Sequence, residues 1–165
     1  MRDELIERMK AVFGQDQRRI DHALAVLDLA EQIQRSEGGD LEIVQAAAVL
    51  HDIGIVQAER KYNSTAGVYQ QIEGPPIARP ILEALGWEKD RIEHVCKIIA
   101  SHHTADLVDT VEFRCIWDAD WIVNLQGDYA GLDPDTRQRM IQGVFKTPTG
   151  HRIAARVFGY RIGKG

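Results

Sequence analysis

Residues 42–54 read EIVQAAAVLHDIG, and how this stretch is read decides the fold. Its apolar residues recur at intervals of three and four, which gathers them on a helix, and the alternation expected of a strand is absent. Asp40 stands just ahead as an N-cap, and Gly54 is the residue type that tolerates a left-handed closing turn. The spacing therefore predicts a helix whose last turn carries His51 and Asp52.

The same spacing fills almost the whole chain, so the expectation is an all-α fold, a helical bundle spanning residues 1–165 as a single domain. Helices are predicted over about 3–13, with Leu5, Ile6, Met9, Val12 and Phe13 as one stripe, and over about 17–36, closed by Gly38-Gly39. Residues 55–63, IVQAERKYN, read as a polar loop before a short helix from near Ser64 that Gly74-Pro75-Pro76 breaks. A proline-started helix then closes at Gly86, another runs over about 90–103, and TADLVDT (104–110) is the next loop. Further helices are expected over about 112–126, from Asp133 with Pro134 in its first turn, and over about 149–160.

Composition narrows the function. The chain has 165 residues, is 44% hydrophobic and 27% charged, and carries a formal charge of -5, so it lacks the basic face that binding long nucleic acid requires. The opening MRDELIERMKAVFG interleaves charge with apolar residues, unlike a signal peptide or a membrane span, and points to a cytoplasmic protein. Cys96 and Cys115 lack CxxC spacing and lie within apolar helical patterns, as buried thiols do.

Three segments carry chemistry. His22 sits mid-helix on the stripe continued by Val26 and Leu29, facing protein, and His51-Asp52 is the second element. The third is WDADWIVN (117–124), which sets Asp118 and Asp120 into an otherwise apolar helix. A buried carboxylate costs several kcal/mol unless it is paired or bound to a metal. Two imidazoles and two carboxylates form a nitrogen and oxygen set that suits Mn, Fe, Co, Ni or Mg, since the thiolates of structural zinc sites are missing. A divalent ion held there activates water near neutral pH, so the physical reading is metal-assisted hydrolysis.

With these residues in view, the chain resembles the HD superfamily of metal-dependent phosphohydrolases, named for a His…His-Asp…Asp pattern on a helical bundle. DHALAVLDLAEQI (21–33) looks like the family's first-His helix, AAAVLHDIG (46–54) its His-Asp turn, and IARPILEALGW (77–87) the helix after it. KIIASHHT (97–104) resembles the helix ending in histidine, DADWIVN (118–124) the final-Asp helix, and VFKTPTGHRIA (144–154) a tail of some members. The resemblance implies His22, His51, Asp52 and Asp120 as metal ligands, one ion ahead of two, with Asp52 also catalytic. Asp120 is chosen over Asp118 because the family's final Asp follows Ala and precedes an aliphatic by one residue, as in Ala119-Asp120-Trp121-Ile122. Asn124 resembles an Asn that faces nucleotide in one variant of the pattern.

The sequence also departs from the family. Position 55 is Ile where some members carry a phosphate-binding lysine, and the acidic residues other members use as acid or base are absent. His102 and His103 are then the candidates for that catalytic role. Glu73, His94 and His102 are candidates for a second ion, and Arg60, Lys61 and Arg79 for phosphate, with Arg18 and Arg19 behind them. The implied partner is a small phosphate mono- or diester, a nucleotide first, with a homodimer as a second association and neither long nucleic acid nor membrane. Two alternatives stand beside this phosphohydrolase: a di-iron oxygenase on the same fold, and a non-catalytic metal- and nucleotide-binding sensor.

Overall fold

The computed structural model describes residues 1–104, 108–127 and 131–160. Among these residues the chain forms nine helices and no strand: α1 (Arg2–Phe13), α2 (Gln17–Glu37), α3 (Leu41–Leu50), α4 (Ile55–Tyr62), α5 (Gly67–Ala84), α6 (Lys89–Ser101), α7 (Val111–Gln126), α8 (Pro134–Val144) and α9 (Pro148–Phe158). The expected all-α bundle is what forms. Residues 105–107 of the loop expected at 104–110 lie outside the described residues.

At the centre is α3. Every residue from Ile43 to Leu50 is buried, and the helix packs against α1, α2, α6 and α7. A helix that is apolar all round has no solvent face and can be stable only when enclosed. The segment Leu41–Tyr62 is apolar and long enough to cross a membrane by composition alone, and it is mostly buried inside the structure. Asp40 starts α3 as expected, its carboxylate accepting from the backbone N–H of Glu42 (3.0 Å) and Ile43 (3.3 Å). The flanking helices present single stripes to it. Those stripes are Leu5, Met9 and Phe13 on α1, and Ile20, Ala23, Val26, Leu27, Ala30 and Ile33 on α2. Cys96 and Cys115 are both buried and free.

Three expectations are corrected. First, Gly54 does not close a helix in a left-handed conformation: α3 stops at Leu50, and Gly54 has φ -80°. Its importance is spatial, because a Cβ there would stand 2.5 Å from the backbone nitrogen of Gly74 and 2.7 Å from the carbonyl oxygen of Gln70. Second, residues 55–63 are not a loop. They form α4, a surface helix burying Ala58 and closing at Asn63 in the left-handed region (φ 52°), and its polar composition reflects a mostly solvated face.

Third, Gly74-Pro75-Pro76 does not break a helix. All of Pro75, Pro76 and Pro80 lie inside α5, which runs on to Ala84. An interior proline costs about 3 kcal/mol through its lost N–H and ring crowding, and the packing of α5 between α4 and α6 offsets this. Gly74 is part of that packing, since a Cβ there would lie 2.6 Å from the Ile99 side chain of α6.

Asp118 and Asp120 are two residues apart on α7, roughly 200° round a helix, so they serve different faces. Asp118 is fully buried and accepts from the backbone N–H of Lys146 (2.8 Å), the backbone N–H of Thr147 (2.8 Å) and the Thr147 hydroxyl (2.6 Å). Thr147 in turn caps α9, accepting from the Gly150 N–H at 2.8 Å. Glycine is required at 150 because a Cβ would run into the Asp118 carboxylate. Asp118 therefore ties the entry of α9 onto α7. Asp118→Ala is expected to destabilise the fold by about 3 kcal/mol or more, since it strands three donors. Denaturant unfolding measures this, and a loss within ~0.5 kcal/mol would contradict the assignment.

Candidate metal centre

The functional side chains come from two helices and the turn that follows a third. His22 is on the second turn of α2, His51 is the residue that ends α3, Asp52 follows it, and Asp120 lies in the middle of α7. His51 is fully buried, and its Nδ1 lies 2.7 Å from the carbonyl oxygen of Ala48, three residues back. A carbonyl only accepts, so Nδ1 carries the hydrogen, and Nε2 is the atom turned to the centre. The helix end thus sets the ring's orientation.

Around His51 Nε2 the donor atoms converge. His22 Nε2 is at 3.3 Å, Asp52 Oδ2 at 3.3 Å and Asp120 Oδ1 at 3.3 Å. His22 Nε2 is itself 3.1 Å from Asp120 Oδ1 and 3.4 Å from Asp52 Oδ2. Burial works against charge on His51, but the Asp52 and Asp120 carboxylates outweigh it and hold the imidazole well above its ordinary pKa. Burial also works against the charge on Asp52 and Asp120. The imidazoles overcome it, His51 and His102 at Asp52 and His51 and His22 at Asp120, so both carboxyls sit well below the usual range.

These residues fit a divalent ion. Spacings of 3.1–3.4 Å between donors are those between neighbouring ligands around an ion held at about 2.1 Å. Surroundings that raise the His51 imidazole and lower both carboxyls favour positive charge among these donor atoms, and a divalent ion held by them would supply it. His22, His51 and Asp52 bring one donor atom each within 4.8 Å of one another, and Asp120 joins them through its approaches to the two imidazoles.

The other oxygen of Asp52 faces the opposite way, with Oδ1 3.2 Å from His102 Nε2. His102 repeats the design of His51: it ends α6, is buried, and its Nδ1 donates to the carbonyl of Ile99, three residues back, at 2.7 Å. Asp52, His102 and His103 form a second group with metal-ligand spacing. Burial, with His102 beside it, pushes the His103 imidazole down to about 4.

The cluster lies in a cavity of about 900 Å³ whose lining includes Arg18, Arg19, Gln70, Trp117, Trp121 and Asn124, as well as His22, Asp52, His102, His103 and Asp120. Arg19 is held by Asp16 (3.2 Å) and by Glu59 of α4. Several expected residues are placed elsewhere. Lys61 pairs with Glu73 at 2.9 Å, Arg79 pairs with Glu93, and neither they nor Arg60 line the cavity. Glu73 also accepts from the Tyr62 hydroxyl at 3.0 Å, and His94 bonds the Thr110 hydroxyl at 2.8 Å, so neither is brought to the cluster. For Lys61, Arg79, Glu73 and His94 a local opposite charge or hydroxyl satisfies the side chain, and spacing along the chain does not reveal that partner. Gln70 was not singled out by the sequence because it lies in a stretch read as a short, broken helix, and only the continuous α5 brings it beside His103.

The family model for the HD domain matches residues 19–125, which takes in all four converging side chains. The crystal structure of a predicted HD superfamily hydrolase from an uncultured Thermotogales bacterium has the same fold, with a TM-score of 0.69 and 24% sequence identity over 95% of this chain and 84% of that one. Among curated proteins none matches the chain. With more than half of its length matched, the chain belongs to the HD domain family.

Proposed function

We propose that the protein is a metal-dependent phosphohydrolase acting on a small phosphate mono- or diester, a nucleotide first. The observation that carries this reading is the convergence of His22, His51, Asp52 and Asp120 at 3.1–3.4 Å in a cavity bordered by guanidinium, aromatic and amide side chains. His22, His51, Asp52 and Asp120 would hold one divalent ion, of the Mn, Fe, Co, Ni or Mg group. When bound, such an ion lowers the pKa of water toward neutrality and offsets phosphate charge.

The chain's own residues do the rest. Asp52 presents one oxygen to His22 and His51 and the other to His102. Arg18 and Arg19 stand at the cavity wall where a phosphate would meet guanidinium, Arg19 while paired with Asp16 and Glu59, whereas Arg60, Lys61 and Arg79 do not reach it. Trp121 gives a nucleobase an apolar face, and Asn124, one turn on, gives its edge an amide. His103, neutral at pH 7, suits accepting a proton or a hydrogen bond better than donating one.

Two outcomes are expected. Purified protein loaded with Mn²⁺ should release phosphate from nucleotide monoesters or diesters, lose that activity in chelator and regain it when Mn²⁺ is restored. Oxygen consumption with Fe²⁺ in place of phosphate release would instead favour the oxygenase alternative. Asp52→Ala and Asp120→Ala should each lose bound metal and at least about 10²-fold in turnover while helicity survives. Asp118→Ala, assayed below its unfolding temperature, should keep its metal. Elemental analysis of the three variants checks the ranking, and metal loss confined to Asp118→Ala would reverse it.

A further inference from the structure

The cavity lining also contains a clamp on His103. Gln70 is buried, and its side-chain Nε2 donates to the backbone carbonyl of Thr65 at 2.5 Å. A carbonyl only accepts, so the amide cannot flip, and its Oε1 faces His103 Nε2 at 3.3 Å. An amide oxygen also only accepts, so that ring nitrogen must carry the hydrogen. Gln71 accepts from the His103 backbone N–H at 3.0 Å, and Gly67 leaves the space the ring occupies, since a Cβ there would lie 2.7 Å from His103 Cγ. The His102 ring packs against the His103 ring, tilted by 46° with 3.8 Å between centroids.

We propose that Gln70 is a positioning residue that fixes His103 as the Nε2–H tautomer, leaving Nδ1 as the basic nitrogen of the neutral ring. His103 is then a hydrogen-bond acceptor through one defined atom, toward a water or a ligand hydroxyl in the cavity. Three neighbouring positions of α5, Gly67, Gln70 and Gln71, act on this one residue. The catalytic consequence rests on the phosphohydrolase reading; the tautomer does not.

The test has one arm for each. In protein labelled with ¹⁵N-histidine and loaded with Mg²⁺, long-range ¹H–¹⁵N spectra at neutral pH should show His103 protonated at Nε2 alone in wild type. Gln70→Leu should give a mixture or the Nδ1–H form. A wild-type ring protonated at Nδ1, or a tautomer unchanged in Gln70→Leu, overturns the proposal. In phosphate-release kinetics with Mn²⁺, Gln70→Leu should lower kcat about tenfold with KM within about twofold. Gln70→Leu combined with His103→Ala should be no slower than His103→Ala alone. Multiplicative losses would show that Gln70 acts independently of His103 and also overturn it. If wild-type protein hydrolyses no phosphate ester, the phosphohydrolase reading fails while the spectra still decide the tautomer.

Discussion

Two carboxylates and two imidazoles turned on one another are the constraint to which the rest of the structure answers. His51 Nε2 faces two carboxylate oxygens and a second imidazole nitrogen, all at 3.3 Å, from inside a fully buried side chain. The surrounding helices determine each of these positions beyond what any one contact supplies. An enclosed α3 cannot slide, so its last residue cannot move, and the Ala48 carbonyl fixes the ring that ends it.

The same logic extends outward. Asp52 follows a helix that has just ended, and the tight approach of Gly54 to Gly74 and Gln70 brings α5 against that turn. This contact carries α6 with it, because Gly74 also admits Ile99, and the carbonyl of Ile99 in turn holds His102. His51 and His102 thus reach Asp52 from two helix ends by one local device, an imidazole Nδ1 donating to the carbonyl three residues back. Two glycines link the turn that holds Asp52 to α5, and α5 to α6.

Much of this was legible in the sequence. Helical spacing gave the all-α fold, and His22, His51-Asp52 and Asp120 stood out because titratable side chains on apolar stripes need a partner. What escaped depended on packing. The helix α4 escaped because a short surface helix without a capping side chain looks like a polar loop, and α5 because proline's local penalty is visible whereas the compensating contacts are not. Arg60, Lys61, Arg79, Glu73 and His94 were read as candidates from charge and neighbourhood, but each charge partner, where one exists, lies a helix away. Gly54 was noticed for the wrong property, since backbone freedom is a sequence-level attribute and a crowded neighbour is not.

The most direct measurement is a crystal structure of Mn²⁺-loaded protein with anomalous scattering from the metal. The account predicts an anomalous peak bonded to His22 Nε2, His51 Nε2, Asp52 Oδ2 and Asp120 Oδ1, with Asp118 still bound to the backbone at Lys146 and Thr147. A fully loaded protein whose peaks all lie away from His51, or whose Asp120 turns from the ion while Asp118 ligates it, would contradict it.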